Sequence, residues 1–373
     1  MHNLISDFYR STILPVLLAL LLFTLLPVPQ RAQVLVEPAF RASADPPAHT
    51  GTIYGIGEPV AHIQCEPGYT ASLYARGLRS PDGLAFSPAG VLHVAEEKGK
   101  RVSQIGHDVS VTPVLGDLRS PEDVIFDDVG NLYVVEDVRR GRLVKMSPDG
   151  RVTTLADGLE NPEGITIAPD GALYVTESNI QSVINPYALR TRISAVAAPG
   201  RFRKLTTQRP ILNGSTIAFW SYAEIATGPD GRFYVANELS SQEITRKVVL
   251  IPDVLTYTLT LLTNDSIFVV DPATGARTAF ASGLITPEGL SFSADGDFPL
   301  YVAEENSRRA GRLSQLGADG QRTTVCSGFR GIEDVTVDPQ GNLYVSEDGS
   351  GSVIHIHLTH SSAASAPGEQ DPA

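Results

Sequence analysis

The sequence predicts an all-β fold, a six-bladed β-propeller of four-stranded antiparallel blades closed by an N-terminal outer strand. Three observations carry this. A turn residue followed by an acid and an apolar strand occurs six times, at Asp82, Glu122, Glu163, Glu224, Glu288 and Glu333; the copies recur at a blade-like spacing; and the last copy lacks a fourth strand that a segment ahead of the first copy can supply.

Four units read Ser80-Pro81-Asp82-Gly83-Leu84, Ser120-Pro121-Glu122-Asp123-Val124, Asn161-Pro162-Glu163-Gly164-Ile165 and Thr286-Pro287-Glu288-Gly289-Leu290. Two copies lack the proline, Tyr222-Ala223-Glu224-Ile225 and Gly331-Ile332-Glu333-Asp334. A Pro/Asp/Gly turn such as Pro169-Asp170-Gly171 follows each apolar run, then a second strand such as Leu132-Tyr133-Val134-Val135-Glu136. β-branched and aromatic runs bounded by such turns read as hairpins, and a second hairpin completes a four-stranded unit, as in Gly141 to Met146 and Arg151 to Ala156 around Pro148-Asp149-Gly150. Pro81 to Pro121 spans 40 residues and Pro121 to Pro162 spans 41, the period of one propeller blade. Such units cannot bury their faces singly, but arranged radially they share a continuous core.

The last unit ends at Val353 to Leu358 with three strands, while Tyr69 to Ala75 matches the fourth strand of other units. The expected layout is a signal peptide or membrane anchor over 1–32, a Pro-rich leader over 33–66, the propeller over 67–358 and a disordered tail over 359–373. Residues 13–28 are almost wholly apolar, follow Arg10 and end at prolines. That is the layout of a secretory h-region or an uncleaved anchor, so the protein is expected to be exported, periplasmic or extracellular. The net charge of −13 argues against a nucleic-acid partner, and a monomer is expected. Cys65 and Cys326 are expected not to pair within the ring unless the leader folds back, because the strand ends carrying them fall on opposite faces.

In an antiparallel blade the start of strand one, the end of strand two and the start of strand three lie together. The six acids should therefore share a face with Glu96, Glu136, Glu177, Glu238, Glu304 and Glu347, which end the second strands. The extra residues of the third and fourth repeats, at Ser178 to Arg190, Pro210 to Ser221 and Leu239 to Asp265, should project from the same face, where long connections on a rigid scaffold form binding sites.

Two unit charges about 6 Å apart at an effective dielectric of about 20 repel by about 3 kcal/mol. Six ionised neighbours therefore call for protonation, basic partners or a bound cation. Carboxylate oxygens suit Ca²⁺ better than zinc, so a divalent cation, Ca²⁺ first, is expected on a subset of Asp82, Glu122, Glu163, Glu224, Glu288 and Glu333. The alternative is that these acids only cap turn amides.

The Pro81-Asp82-Gly83-Leu84 and Pro162-Glu163-Gly164-Ile165 units, each followed by a Pro/Asp/Gly turn and a Tyr-Val strand, resemble the SMP-30/gluconolactonase/NHL-repeat superfamily of six-bladed propellers. The resemblance covers most of Tyr69 to Leu358 and implies a divalent ion in the central channel, with Asp82 at the family's Pro-Asp-Gly ligand position and the other five acids at corresponding positions. It also implies hydrolysis of a lactone or ester, with a ring carboxylate, Glu163 or Glu288, as general base. Two departures stand out: the chain has neither a Pro-Asn-Gly copy nor an Asn-Asp-Gly segment of the lactonase kind. The other class the resemblance allows is a non-catalytic NHL-type platform whose acidic mouth takes a polar or cationic ligand.

Weaker candidates complete the reading. His355 and His357, with His360 beyond, alternate onto one strand face, which suits packing between blades more than a metal. Ser215 and Ser221 lack a histidine at a motif spacing. Tyr257 to Leu262 is apolar enough for a lid, and Trp220 beside Tyr222 suits inter-blade packing more than a sugar site.

Overall fold

The computed structural model describes residues 55–179, 190–198, 201–208, 211–213, 216–218, 221–237, 260–262, 266–305 and 310–359. All lie in one of the chain's two compact units, spanning His49–Glu243 and Thr260–Ala373; the other, Met1–Ala48 with Ile244–Leu259, lies outside the described residues. So do the expected anchor, most of the leader, the tail from 360 on, Glu238, Trp220, Ser215 and much of the long insertions. Among the described residues no helix is long and apolar enough to cross a membrane.

Six four-stranded antiparallel blades follow one another in sequence. Their innermost strands are Pro81–Phe86, Pro121–Phe126, Pro162–Ile167, Tyr222–Thr227, Pro287–Phe292 and Ile332–Val337. Each second strand, from Leu92–Glu96 in blade 1 to Leu343–Glu347 in blade 6, is covered by neighbouring blades on both faces. That is why these strands read as unbroken apolar runs and not as an alternation; Leu132–Glu136 and Phe233–Asn237, for example, are buried at every position. Between blades 2 and 3 the core is Val135, Leu143, Leu159, Ile165 and Val175, all at most 2% exposed. Each such side chain contributes about 1.5–3 kcal/mol of burial, and similar clusters fill the other gaps. Hairpin turns follow the predicted chemistry: Gly171 takes φ 81°, its N–H reaches the Ala168 carbonyl at 2.8 Å, and Asp170 Oδ1 accepts from the Ala172 N–H.

The ring closes as expected. Tyr69–Arg76 forms the outer strand of blade 6, running from Tyr69 opposite Leu358 to Arg76 opposite Ser352.

The expectation for the cysteines is corrected. Cys65 and Cys326 form a disulfide. The opposite-face argument assumed that the chain ahead of Tyr69 continues the direction of that strand, whereas it doubles back. Gln64–Cys65 adds antiparallel to the outer strand of blade 5, Arg322–Phe329, which places Cys65 directly opposite Cys326. The end of the leader is thereby part of the folded ring: Val60 and Ile63 join the core of blades 5 and 6, and the Leu73 N–H donates to the Glu58 carbonyl at 3.0 Å. Gly328 permits the close pass, since a Cβ there would stand 2.2 Å from the His62 carbonyl oxygen.

A small sheet of Ile211–Asn213, Thr216–Ala218 and Thr260–Leu262 is built from the two insertions that flank the first two strands of blade 4.

Candidate functional site

All six ring acids line one cavity at the centre of the propeller, together with Asp123, Asp334, Ala223 and Gly289. Their presentation has a common backbone cause. In every blade the pairing of the first two strands slips at the acid: Pro81 faces Glu96 but Leu84 faces Val94, and the same slip separates Pro121 from Val124, Pro162 from Ile165, Tyr222 from Ile225, Pro287 from Leu290 and Ile332 from Val335. The acid therefore occupies a β-bulge, a device that re-aims a side chain out of the ladder.

The residue before the bulge is strained to match. Ser80, Ser120, Asn161 and Thr286 hold φ of 51°, 49°, 44° and 42°, and Gly331 holds 69°. Left-handed backbone is disfavoured in any L-residue and more so before proline. Four such positions at one structural level fit a site that the surrounding fold over-determines.

A second alternation sits one residue further on. Blades 1, 3 and 5 carry Gly83, Gly164 and Gly289, where a Cβ would stand 2.5–2.8 Å from a Cα or backbone nitrogen of the next blade's inner strand. Blades 2 and 6 carry Asp123 and Asp334 instead. Asp123 Oδ2 accepts from the Ile165 N–H at 2.8 Å and Asp334 Oδ2 from the Leu84 N–H at 2.7 Å, so each carboxylate fastens its blade to the next. Ile225 occupies this position in blade 4. Glu224 hydrogen-bonds carboxyl to carboxyl with Asp123.

Among the described residues no lysine, arginine or histidine lines this cavity, and the acids respond accordingly. Burial, then the charges of Glu122 and Glu333, hold the Asp82 carboxyl well above its usual range. Burial and the charges of Asp123 and Asp334 do the same to Glu224, and burial with Asp123 raises Asp334. Burial lifts Asp123 to about 6 against the pull of its hydrogen-bond donors.

The acids ending the second strands lie at the same end of the blades as the ring acids, as expected, and belong to the framework. Glu96, Glu136, Glu304 and Glu347 are 0% exposed and Glu177 is 1% exposed. Each accepts a backbone N–H ahead of the first strand, from Arg79, Arg119, Glu160, Ile285 or Arg330, at 2.7–3.0 Å. Arg101, Arg142, Arg192 and Arg312 on the third strands neutralise four of them. Where the third strand of blade 6 has Ser352 instead, His62 of the leader reaches Glu347 at 3.2 Å. In blade 4 the equivalent of these glutamates is Asn237 and not Glu238, and its side-chain oxygen accepts the Ser221 N–H at 3.0 Å.

One residue beyond Glu136, Asp137 joins two of the ring acids in a tighter group. Single carboxylate oxygens of Glu122, Asp137 and Glu163 lie within 4.8 Å of one another, all partly exposed. Asp137 also accepts from Asn161 Nδ2 at 2.9 Å, which holds it between blades 2 and 3. The donor set is purely oxygen and anionic, the chemistry of a hard divalent cation. The cavity itself measures about 30 Å³, room for a water or an ion and not for a sugar ring.

The histidine pair takes the packing role. His355 stacks on Tyr344 with centroids 4.4 Å apart, and His357 pairs with Ser72 Oγ at 3.0 Å. Burial first, then His357, lowers His355 to about 4.

No family model matches the chain. A gluconolactonase of Zymomonas mobilis is 23% identical over 163 residues, which cover 38% of this chain and 46% of that protein, so the match spans about half of the relative's length. The solved structure of a gluconolactonase from Xanthomonas campestris aligns with a TM-score of 0.58 at 16% identity, covering 83% of this chain and 99% of the other. A streptogramin B lyase aligns with a TM-score of 0.53 at 13% identity, covering 78% and 98%. The chain is a six-bladed propeller with the gluconolactonase-like fold, similar to the SMP-30/gluconolactonase proteins that its repeat units resemble.

Proposed function

We propose that the chain is a divalent-cation-dependent hydrolase of lactones or esters, working where the acidic cavity opens at the start of the inner strands. The supporting observation is the convergence of eight carboxyl side chains on one cavity, with no basic residue among its described lining groups, and the oxygen cluster that two of them, Glu122 and Glu163, form with Asp137. The similarity to gluconolactonases gives the reaction class. These three residues would hold the cation, Ca²⁺ by the all-oxygen donor set, which when bound supplies Lewis-acid polarisation of the scissile carbonyl.

With Glu163 committed there, Glu288 is the general base among the two candidates. Water adds to the acyl carbon as Glu288 takes its proton, and that proton passes to the alcohol oxygen as the acyl C–O bond breaks. The cavity is too small for a substrate ring, so the scissile bond stands at its mouth with the rest of the substrate outside. Export is part of the same proposal, since a disulfide suits an oxidising compartment.

The second reading, a non-catalytic platform, is favoured by the Glu224–Asp123 hydrogen bond, which ties carboxyls of the cavity to one another instead of to a cation. A panel of aldonolactones and p-nitrophenyl esters, assayed after chelation and again with calcium restored, separates the two. The hydrolase predicts turnover that needs calcium and falls by about a hundredfold or more in Glu288→Gln. No turnover on any member of the panel leaves the platform.

A further inference from the structure

The charge of this molecule is unevenly placed. The chain carries −13 overall, and the hairpin turns on the face away from the cavity mouth expose Asp108, Asp128, Asp149, Asp170, Asp230 and Asp319. The mouth face of blades 6, 1 and 2 carries an arc of six basic residues, with exposed Asp117 among them. Arg330 and Arg79 lie ahead of inner strands, Lys98 and Lys100 lie between the second and third strands of blade 1, Arg139 and Arg140 open the third strand of blade 2, and all six are exposed. Among the described residues, Lys98 alone of the six has an ion pair, 3.9 Å to Asp348.

The arc is joined directly to the site. The Glu97 N–H donates to the Ser80 carbonyl at 2.9 Å and the Gly99 N–H to the Arg79 carbonyl at 3.2 Å, so the Lys98–Lys100 loop rests on the segment that presents Asp82. The charge of Glu97 is felt at Asp82. Blade 2 repeats the arrangement, with the Asp137 N–H on the Ser120 carbonyl at 2.8 Å beside Arg139 and Arg140.

Resting on the hydrolase reading above, we infer that the substrate is an ester or lactone carrying a carboxylate or phosphate remote from the scissile bond, and that this basic arc binds the anionic end. The two charge zones then set orientation as well as affinity. The acidic cavity repels an anionic end that enters first, and the arc holds that end outside while the neutral acyl carbon meets the mouth.

The test compares p-nitrophenyl butyrate with the mono-p-nitrophenyl ester of adipic acid, the same leaving group on a neutral and an anionic acyl chain, with calcium present. The inference predicts kcat/KM about tenfold or more higher for the adipate ester at low salt. That ratio should fall toward one as ionic strength rises from about 0.01 to about 1 M and the Debye length shrinks from about 30 to about 3 Å. The ratio should also collapse in the Lys98→Gln/Lys100→Gln/Arg140→Gln variant. Equal rates on the two esters in wild type, or a preference that survives both salt and the triple variant, overturns it. If neither ester is hydrolysed, the hydrolase reading fails, and the arc is judged by calorimetric titration with the monobutyl amide of adipic acid. Binding that the triple variant loses upholds an anion site at the mouth, and no binding to wild type refutes it.

Discussion

Arg192→Met should lower the stability of the propeller by about 3–5 kcal/mol, the loss expected when one member of a buried ion pair is removed and the other is left uncompensated. Glu177 and Arg192 are 1% and 4% exposed, and Ser194 and the Glu160 N–H are the remaining partners of the Glu177 carboxylate. At the size of this domain that corresponds to a drop of about 10 °C in Tm. Arg119→Met is the contrasting variant. Arg119 is 46% exposed and shares Glu136 with Arg142, so its loss should cost about 1 kcal/mol or less. Thermal or urea unfolding of the two variants checks the assignment; similar losses in both would mean that burial does not set the value of these pairs.

The second large effect is a stability profile that the cavity tilts toward acid. Asp123, Asp82, Glu224 and Asp334 have folded-state pKa values raised above their unfolded values. A raised carboxyl favours the folded state only while it is protonated, so stability should decline as pH climbs from about 4, where the unfolded chain titrates. For Asp123 the decline is complete just above its value of about 6, an effect on the order of 2–3 kcal/mol at about 1.4 kcal/mol per pKa unit. The other three act in the same direction.

Glu96 and Glu136 act in the opposite sense. Burial raises both, but hydrogen bonds from Arg101, Ser103 and the Arg79 N–H outweigh it at Glu96, as those from Arg142 and Arg119 do at Glu136, and both end below their usual range. Their contribution is present above the unfolded pKa near 4.3 and is lost as pH falls through the depressed values. The chelated protein should therefore be most stable near pH 5 and weaker at pH 8. Calcium should remove the loss at pH 8, because a ligand that binds only the folded state stabilises it by mass action. Melting curves from pH 3 to pH 9 with chelator and with calcium test both signs. A chelated protein that gains stability steadily up to pH 8 contradicts the raised carboxyls.

The blades and the acidic ring were legible in the sequence because both repeat at fixed positions: an acid two residues ahead of each inner apolar run marks a bulge in every blade. The Gly-to-Asp alternation one residue later was equally visible in the aligned units, but Asp123 and Asp334 carry no motif of their own, and their role depends on the neighbouring blade's backbone. The framework ion pairs were hidden by loop length. Glu96 lies five residues from Arg101, Glu136 six from Arg142, Glu304 eight from Arg312 and Glu177 fifteen from Arg192, so one structural pair has four sequence spacings. The same displacement led to Glu238 where the structure places Asn237. The disulfide escaped because a reversal of the chain over the residues before Tyr69 has no periodic signal, and the His62–Glu347 contact made by the same segment escaped with it.

The central claim is that Glu122, Asp137 and Glu163 bind a divalent cation. Calorimetric titration of the chelated protein with calcium tests it most directly, run beside Glu163→Gln and Asp137→Asn. The account predicts one saturable site in wild type that either substitution weakens by about tenfold or more, each lost carboxylate being worth at least about 1.4 kcal/mol. No calcium binding at millimolar concentration, or binding that both variants retain at wild-type strength, would contradict it.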